Sequence, residues 1–449
     1  MVDASAVSQY GEGIHAFAKV RPQRDIRAPA RELVLSGAFR RFPPSLPPVG
    51  IALVGPGLVG RLVLEQFAAP ALRAHFRIIS ISNSRYTIFD DQSGASSGET
   101  TYERLLEALP PSSRAPSGKA TETSIHELAP AELVDALAKR AKQSGSHIIL
   151  VDCTASDALP RVYAKALLAG LSVVTPNKVA PAGPQELYQP IAEAQQSAGA
   201  GLFYCEGACG AGLPVLSTLA DLVRTDDEII KIEAVLSGTL SYILNRFSPV
   251  QGPRTGGPAL RFSEIVRSAH RDGHTEPHPA EDLSGRDVAR KLTILARFSE
   301  PSTSTAATPA TGHVLDLPDG AASVSTQSLI PEQLVDVRDP NAFVDGLAEH
   351  DAHFERVRSA AQAAGRVLRY AGVLDIERGT IECALQQFAP DHPFASLSGS
   401  HLSLAIFTKR YKDRPLVIQG PGYPVEVTAS AVVADAIRVA ERYGHSFGL

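Results

Sequence analysis

The segment VGIALVGPGLVGRLVLEQF, which begins at Val49, constrains the fold more than any other part of the chain. Residues 51–54 are a continuous apolar run, which is typical of a strand buried on both faces. Gly55, Gly57 and Gly60 follow at GxGxxG spacing, and helical periodicity comes next. Such glycines permit a tight turn, a close approach to a pyrophosphate and close packing of helix on strand. A dinucleotide site is therefore predicted, with a purely structural turn as the alternative.

The helix after this turn is predicted to present unpaired N–H groups at Leu58 and Val59 to the phosphates. A second apolar strand, residues 76–82, is followed by NSR, which ends at Arg85. An NAD-preferring site would carry an acidic residue there, whereas Arg85 can pair with a 2′-phosphate. The pattern predicts NADP in preference to NAD. NAD stays the alternative, with Arg85 on a solvated loop.

Strands and helices continue to alternate after this unit. Residues 147–156 (HIILVDCTAS) and 171–178 (LSVVTPNK) are apolar runs that end in small polar residues, and helical segments follow them. This alternation predicts a parallel sheet whose strand ends form the ligand site. Thr154, Ala155 and Lys178 fall at such ends, so we expect them to bind the cofactor. A solvated loop is the alternative for Lys178.

Beyond Gly212 the strands change character. EIIKIEAVLSG, TIECALQQF and HLSLAIFTKRY alternate apolar and polar residues, as antiparallel strands with one covered face do. SYILNRF and the final VTASAVVADAIRVAERYG predict helices, and the latter could pack back on the first domain. The predicted fold class is α/β: a Rossmann-type doubly wound parallel sheet plus an α+β domain with a mixed or antiparallel sheet.

These patterns also predict the domain organisation. We expect a flexible N-terminal extension (1–47), an NAD(P)-binding domain (48–212 with 420–449) and a second domain (213–419). Loop insertions rich in Pro, Gly, Ser and Thr are predicted near 248–259 and 300–325.

Composition narrows the classes of function. The chain has 43 basic and 48 acidic residues, so its net charge of −5 gives no basic surface for nucleic acid. Its apolar runs are shorter than the roughly 20 residues of a membrane-spanning helix. The 4 cysteines contain no CxxC pair and are predicted to be free thiols. We therefore expect the cytoplasm, with a plastid as the alternative.

Eight motifs, in order, resemble the homoserine dehydrogenase family from about Val49 to the C-terminus. They are GPGLVG, VDCTAS, VTPNK, CEGACGAGLPV, LSGTLSYILN, GHTEPHPAEDLSGRDVARKLTILAR, SLIPE and VTASAVVADAI. The resemblance implies a reversible NAD(P)H-dependent reduction of L-aspartate 4-semialdehyde to L-homoserine, in threonine, methionine and isoleucine biosynthesis. We see no aspartokinase portion and no regulatory domain, so we expect the short, monofunctional form. The second domain is then the catalytic and dimerisation domain.

The resemblance also gives the acidic segment TEPHPAEDLSGRDVARK a chemical role. Taken alone, such a charge run is usually a solvated helix face, and Asp287 with Lys291 would be a modest surface pair. The family instead implies that Glu276 and Asp287 bind the substrate's polar groups and that Gly273 lines the pocket. Asp282 is expected to support this network.

Two lysines are implied as candidates for moving the proton on the substrate oxygen. A lysine whose pKa is lowered by burial and neighbouring charge could polarise the carbonyl and exchange that proton. We favour Lys291, oriented by Asp287, with Lys178 bridging cofactor and substrate. The residues do not decide between the two lysines.

The segment CEGACGAGLPV resembles a family segment that holds a monovalent cation such as Na⁺. The implied ligands are the Glu206 carboxylate and the carbonyls of Cys209, Ala211 and Leu213, since oxygen suits a hard cation. A glycine-rich turn between domains is the alternative.

One stretch departs from the family. Where relatives tend to have QGAGAG, this chain has QGPGYPVEVTA, in which Pro424 removes a backbone donor. Gly420 is kept as a cofactor-binding candidate.

Two other functions stay open at this stage. One is another NADP-dependent oxidoreductase acting on an amino-acid semialdehyde or keto acid, and the other is a non-catalytic NADP-binding protein. A homodimer is expected, because the family is commonly dimeric and strands of the second domain could extend across a partner's sheet.

Overall fold

The computed structural model describes residues 46–90, 101–113, 123–250, 259–299 and 316–447. Most of the predicted N-terminal extension lies outside these residues, as do the parts of the two predicted insertions at 251–258 and 300–315. Among the described helices there is no candidate for a membrane span.

The predicted apolar runs of the first half of the chain form strands, and further strands form between and after them. These are β1 (Val49–Val54), β2 (Phe76–Ser82), β3 (Tyr86–Asp90), β4 (Thr123–Glu127), β5 (Ile148–Asp152), β6 (Ser172–Val174) and β7 (Phe203–Tyr204). The helices between them are α1 (Leu58–Ala68), α2 (Thr101–Ala108), α3 (Pro130–Ser144), α4 (Tyr163–Leu168) and α5 (Gln185–Gln195).

These strands form one sheet in the order β4-β3-β2-β1-β5-β6-β7. The neighbouring pairs β2–β1, β1–β5, β5–β6 and β6–β7 are parallel, which confirms the predicted doubly wound sheet. All of β1 is buried, as its unbroken apolar sequence requires. The carboxyl ends of β1, β5 and β6 therefore meet at one edge, where the glycine turn lies.

An antiparallel hairpin at one edge of this sheet was not predicted. β3 pairs antiparallel with both β2 and β4. Only three residues separate β2 from β3, which is too few for a helical crossover, so the chain must reverse. Asn83 makes this reversal, because its side-chain oxygen accepts from the N–H groups of Arg85 and Tyr86 at 2.9 and 2.8 Å.

The second half forms strands β8 (Ile229–Val235), β9 (Ser325–Thr326), β10 (Val367–Asp375), β11 (Thr380–Phe388), β12 (His401–Thr408) and β13 (Leu416–Pro421). Its helices are α6 (Val215–Arg224), α7 (Gly238–Phe247), α8 (Phe262–Arg271), α9 (Ala280–Leu283), α10 (Arg286–Phe298), α11 (Pro340–Gly346), α12 (Asp351–Ala363) and α13 (Val425–Arg442).

The second sheet has the order β13-β12-β8-β10-β11-β9 and confirms the predicted mixed sheet. Its pairs are antiparallel except β11 with β9. Helices α7, α10 and α12 all contact β10, which places the second half's core between these helices and the sheet. The predicted domain boundaries stay a prediction. Strand β13 crosses the boundary predicted between residues 419 and 420, because it ends at Pro421.

The last helix returns to the first half of the chain. α13 packs on α1, the helix that begins at the glycine turn, as its apolar periodicity predicts. The second half also meets the carboxyl edge of the first sheet, because Lys178, which follows β6, lies 3.4 Å from Asp287 in the first turn of α10.

Candidate active site

The glycine turn has the geometry that its spacing predicts. Gly55 has φ +88°, and a Cβ on Gly60 would lie 2.2 Å from the Gly55 carbonyl oxygen. A Cβ on Gly57 would meet nothing within 4 Å, and no side chain caps the start of α1. Leu58, the first residue of that helix, is exposed. The helix N-terminus therefore opens on free space, which fits a bound pyrophosphate.

A buried carboxylate that the sequence reasoning missed fixes the ends of β5 and β6. Asp152 accepts from the Thr154 N–H at 2.8 Å, from the Asn177 amide at 3.1 Å and from the Tyr163 hydroxyl. Burial raises the pKa of Asp152, although these donors oppose the shift. The sequence signal that could have revealed this network is an acidic residue at the end of a buried strand. The network holds Thr154 and the loop that carries Lys178 in place, while Ala155 is exposed beside them.

Asp287 brings the two predicted lysines together from different halves of the chain. It lies in the first turn of α10, and its carboxylate is 2.7 Å from the Lys291 ammonium one turn later. The Lys178 ammonium, beyond β6, is 3.4 Å from the other carboxylate oxygen. Lys291 also donates to the Leu236 carbonyl at 2.8 Å.

The two neighbouring lysines determine the protonation state of the Asp287 carboxyl. Burial alone would raise the pKa of the Asp287 carboxyl, but Lys291 and Lys178 outweigh burial and hold that pKa well below its ordinary range. Asp287 is therefore a carboxylate. The Lys291 side chain is 14% exposed, against 33% for Lys178, so Lys291 is the more enclosed of the two.

The acidic segment lies beside this cluster. The Glu276 N–H donates to Asp282 at 2.8 Å, and no described residue makes a hydrogen bond or ion pair with the exposed Glu276 carboxylate. The pKa of Asp282 is raised to about 6, by burial first and then by the charges of Glu276 and Asp287. Gly273 precedes them at φ +74° with open space around it. The structure thus places Asp282 in contact with Glu276 and close enough to Asp287 to feel its charge, while the substrate roles stay predictions.

The loop predicted to hold a cation also caps a helix. The buried Glu206 carboxylate accepts from the N–H groups of Leu216 and Ser217 at 2.7 and 2.9 Å, so it caps the start of α6. Ala211 has φ +57°, and the Leu213 carbonyl accepts from Val215. Cys209 is buried, with its sulfur 3.9 Å from the Lys291 carbonyl oxygen.

Among the described residues there is no cluster of three or more His, Cys, Asp or Glu side chains that could hold a metal. The ligands implied for Na⁺ are mostly backbone carbonyls, which are not among these side chains. The cation stays a prediction.

Two cofactor candidates have partners within the protein. Arg85 lies at the tip of the turn after β2, 3.2 Å from the Glu127 carboxylate, and both side chains are about half exposed. Gly420 pairs with Leu402 in the second sheet, and a Cβ there would lie 2.6 Å from the Leu213 side chain. The absence of a side chain at Gly420 is thus explained by packing, and both cofactor roles stay predictions.

A second buried network lies behind the cation loop, and sequence reasoning missed it. Asp435 on α13 accepts from the Glu206 N–H at 2.8 Å and from Arg438 at 2.6 Å. Arg438 is also 3.5 Å from the Glu206 carboxylate. The pKa of Asp435 is raised to about 7, mainly by burial and then by the Glu206 charge. The available signal was an acid on the apolar face of a helix.

Both halves of the chain match models of one family. Residues 55–205 match the homoserine dehydrogenase NAD-binding domain, and residues 214–437 match the homoserine dehydrogenase domain. The chain belongs to the homoserine dehydrogenase family. An Emericella nidulans homoserine dehydrogenase is 36% identical over 401 residues, which cover 88% of this chain and 99% of that relative.

Other relatives are larger or are known by structure. A Zea mays chloroplastic bifunctional aspartokinase/homoserine dehydrogenase is 36% identical over 91% of this chain, which spans only 40% of that protein. A solved Candida auris protein of unknown function is 32% identical, with a TM-score of 0.73 over 88% of this chain and 98% of that one. A hyperthermophilic archaeal homoserine dehydrogenase in complex with NADPH, 23% identical, has a TM-score of 0.59 over 88% and 98%.

The buried Asp435 predicts a pH-dependent stability for this member of the family. Its folded-state pKa of about 7 lies above the ordinary value for aspartate. Its stabilising contribution is therefore fully present below about pH 4 and is lost as the pH rises through about 7. We expect Asp435→Asn, which cannot ionise, to gain about 4 kcal/mol relative to wild type between about pH 4 and pH 8.

Urea unfolding of wild type and Asp435→Asn between about pH 4 and pH 8 measures the difference in their free energies of unfolding. The exposed Asp345, changed to Asn, is the matched control and should show no such gain. Equal pH dependence in wild type and Asp435→Asn would contradict the prediction.

Proposed function

We propose that the chain is an NAD(P)-dependent homoserine dehydrogenase. It would catalyse the reversible reduction of L-aspartate 4-semialdehyde to L-homoserine, a step towards threonine, methionine and isoleucine. The observation that carries the proposal is the Asp287 carboxylate facing Lys291 at 2.7 Å and Lys178 at 3.4 Å, beside the carboxyl edge of the first sheet. Membership of the family supports the same activity.

The cofactor would lie across the glycine turn. Gly55, Gly57 and Gly60 would let the backbone approach the pyrophosphate, and the N–H groups of Leu58 and Val59 would bind it. Thr154 and Ala155, at the end of β5, would line the nicotinamide side, and Lys178 would contact both cofactor and substrate. Gly420 is a further candidate. When bound, the nicotinamide supplies or takes up the hydride.

The acidic segment would hold the substrate by its charged groups. Aspartate semialdehyde and homoserine each carry an ammonium group, and the Glu276 carboxylate is available to pair with it. Gly273 leaves room at the mouth of the site, and Asp282 holds the Glu276 backbone. Asp287 would contribute a hydrogen bond to substrate while it orients the lysines. These contacts would fix the aldehyde carbon for hydride transfer.

Lys291 would manage the proton. During reduction its ammonium group donates a proton to the aldehyde oxygen, and during oxidation the amine takes the proton back from the hydroxyl. Asp287 and the Leu236 carbonyl hold the Nζ atom from two sides, at 2.7 and 2.8 Å, so the third N–H can point at substrate. Lys178 shares the same carboxylate from the cofactor side.

Removing the Lys291 amine tests this assignment. We expect Lys291→Ala to lower kcat by about 100-fold or more, because proton transfer by a positioned group contributes that much. NADPH oxidation with aspartate semialdehyde measures it, with the exposed Lys139 changed to Ala as the matched control. Near-normal turnover by Lys291→Ala would refute the role. Equal or faster turnover of other semialdehydes by wild type would refute the substrate.

We also propose that NADP is preferred over NAD, through Arg85. The archaeal relative solved with NADPH supports a phosphorylated cofactor. We expect Arg85→Ala to lower kcat/KM for NADPH by about 10-fold and to leave NADH nearly unchanged, since a charge-assisted bond to the 2′-phosphate is lost. The exposed Arg73, changed to Ala, is the control. A strong preference of wild type for NAD would contradict this proposal.

A monovalent cation and a homodimer are further proposals. Glu206, with the carbonyls of Cys209, Ala211 and Leu213, would bind Na⁺ or K⁺ and steady the loop that contacts Lys291. Activity that is indifferent to replacing Na⁺ and K⁺ by choline would count against the cation. The second sheet, of which β13 is one edge strand, would form the dimer interface, and a monomer in sedimentation velocity would count against it.

A further inference from the structure

The turn that follows Lys178 is held by an arginine from the opposite half of the chain. Arg297, in the last turn of α10, donates to the Pro181 carbonyl at 2.9 Å and to the Gly183 carbonyl at 2.8 Å. Weaker contacts reach the carbonyl of Ala180 and the side chain of Gln185 at 3.5 and 3.4 Å. One guanidinium group therefore binds most of the turn.

The arginine is itself held from behind. Its guanidinium lies 4.2 Å above the Tyr188 ring on α5, which is cation–π distance. A planar group that stacks on a ring and donates to several carbonyls is held in one orientation. Lysine could supply the charge but not the fork of donors.

The segment before β9 holds the other side of the same turn. The Ala321 N–H donates to the Ala182 carbonyl at 3.0 Å, and the Gln185 N–H donates to the Pro318 carbonyl at 2.8 Å. A Cβ on Gly320 would lie 2.0 Å from the Gly183 carbonyl oxygen, so the two backbones are as close as glycine allows. The turn is thus fixed between α10 and this segment.

The same helix carries the proposed catalytic groups. Arg297 follows Asp287 by ten residues on α10, which is about 15 Å along the axis, so it is too far away to touch the reacting atoms. However, a rigid helix fixes the distance between its two ends. By holding the turn at the C-terminal end of α10, Arg297 therefore also keeps Lys178 at the N-terminal end of that helix, 3.4 Å from Asp287.

We propose that Arg297 is a positioning residue that sets the place of Lys178 relative to Asp287 and Lys291. The proposal rests on the proposed function, because Lys178 is given its role there. Arg297 joins α10 of the second half to the turn after β6 of the first half. A displacement of about 1 Å at Lys178 would be enough to lower the rate by up to about 100-fold.

Hydrogen–deuterium exchange tests the structural step without any need for activity. We expect Arg297→Met to raise exchange at the amides of Ala182, Gly183 and Gln185, whose bonds stay within the turn or reach Pro318. Arg297→Lys, which keeps the charge, should show the same increase while unfolding closer to the wild-type temperature. Arg290→Met, an exposed arginine on the same helix, should leave exchange unchanged. Unchanged exchange in both Arg297 variants would overturn the proposal.

A double-mutant cycle tests the catalytic step. With aspartate semialdehyde and NADPH, we expect Arg297→Met to lower kcat/KM by about 10- to 100-fold in wild type but by less than about threefold in Lys178→Ala. Equal losses in both backgrounds would overturn the positioning role, since a general loss of stability would act alike in both. A wild-type chain that oxidises no NADPH would contradict the proposed function instead, and the exchange result would still test the contact between Arg297 and the turn.

Discussion

The Asp287 carboxylate is the contact on which the rest of this structure depends. It faces Lys291 from its own helix and Lys178 from beyond a strand of the first half, at 2.7 and 3.4 Å. Two ammonium groups in a half-enclosed cleft would repel each other without an anion between them. Asp287 removes that repulsion and joins the two halves at the place where, in the proposed reaction, hydride and proton must arrive together.

Several buried and partly buried polar groups hold this junction together. Asp152 ties together the ends of β5 and β6, and Arg297 holds the turn after Lys178 against the helix that carries Asp287. Glu206 caps α6 while its backbone is bound by Asp435 of the last helix. The buried carboxylates of Asp152, Glu206 and Asp435 all accept hydrogen bonds, so their burial favours one arrangement instead of merely costing solvation.

Sequence reasoning recovered what is local and periodic. The turn at Gly55 to Gly60 followed from spacing, and the Asp287–Lys291 pair followed from one helical turn. The approach of Lys178 to Asp287 joins residues 109 positions apart, which no period encodes, so only the family resemblance implied it. The contacts of Asp435 with Glu206 and of Arg297 with its turn were missed for the same reason. The antiparallel strands β3 and β4 were missed because both are short and because they pair across a long stretch of sequence.

A crystal structure of the chain with NADP⁺ and homoserine bound would show whether Asp287 brings both lysines to the substrate. We expect the homoserine hydroxyl within about 3.5 Å of the Lys291 ammonium, with Lys178 still facing Asp287 and the pyrophosphate at Gly57. Homoserine bound away from both lysines, or Lys178 separated from Asp287 in the complex, would contradict it.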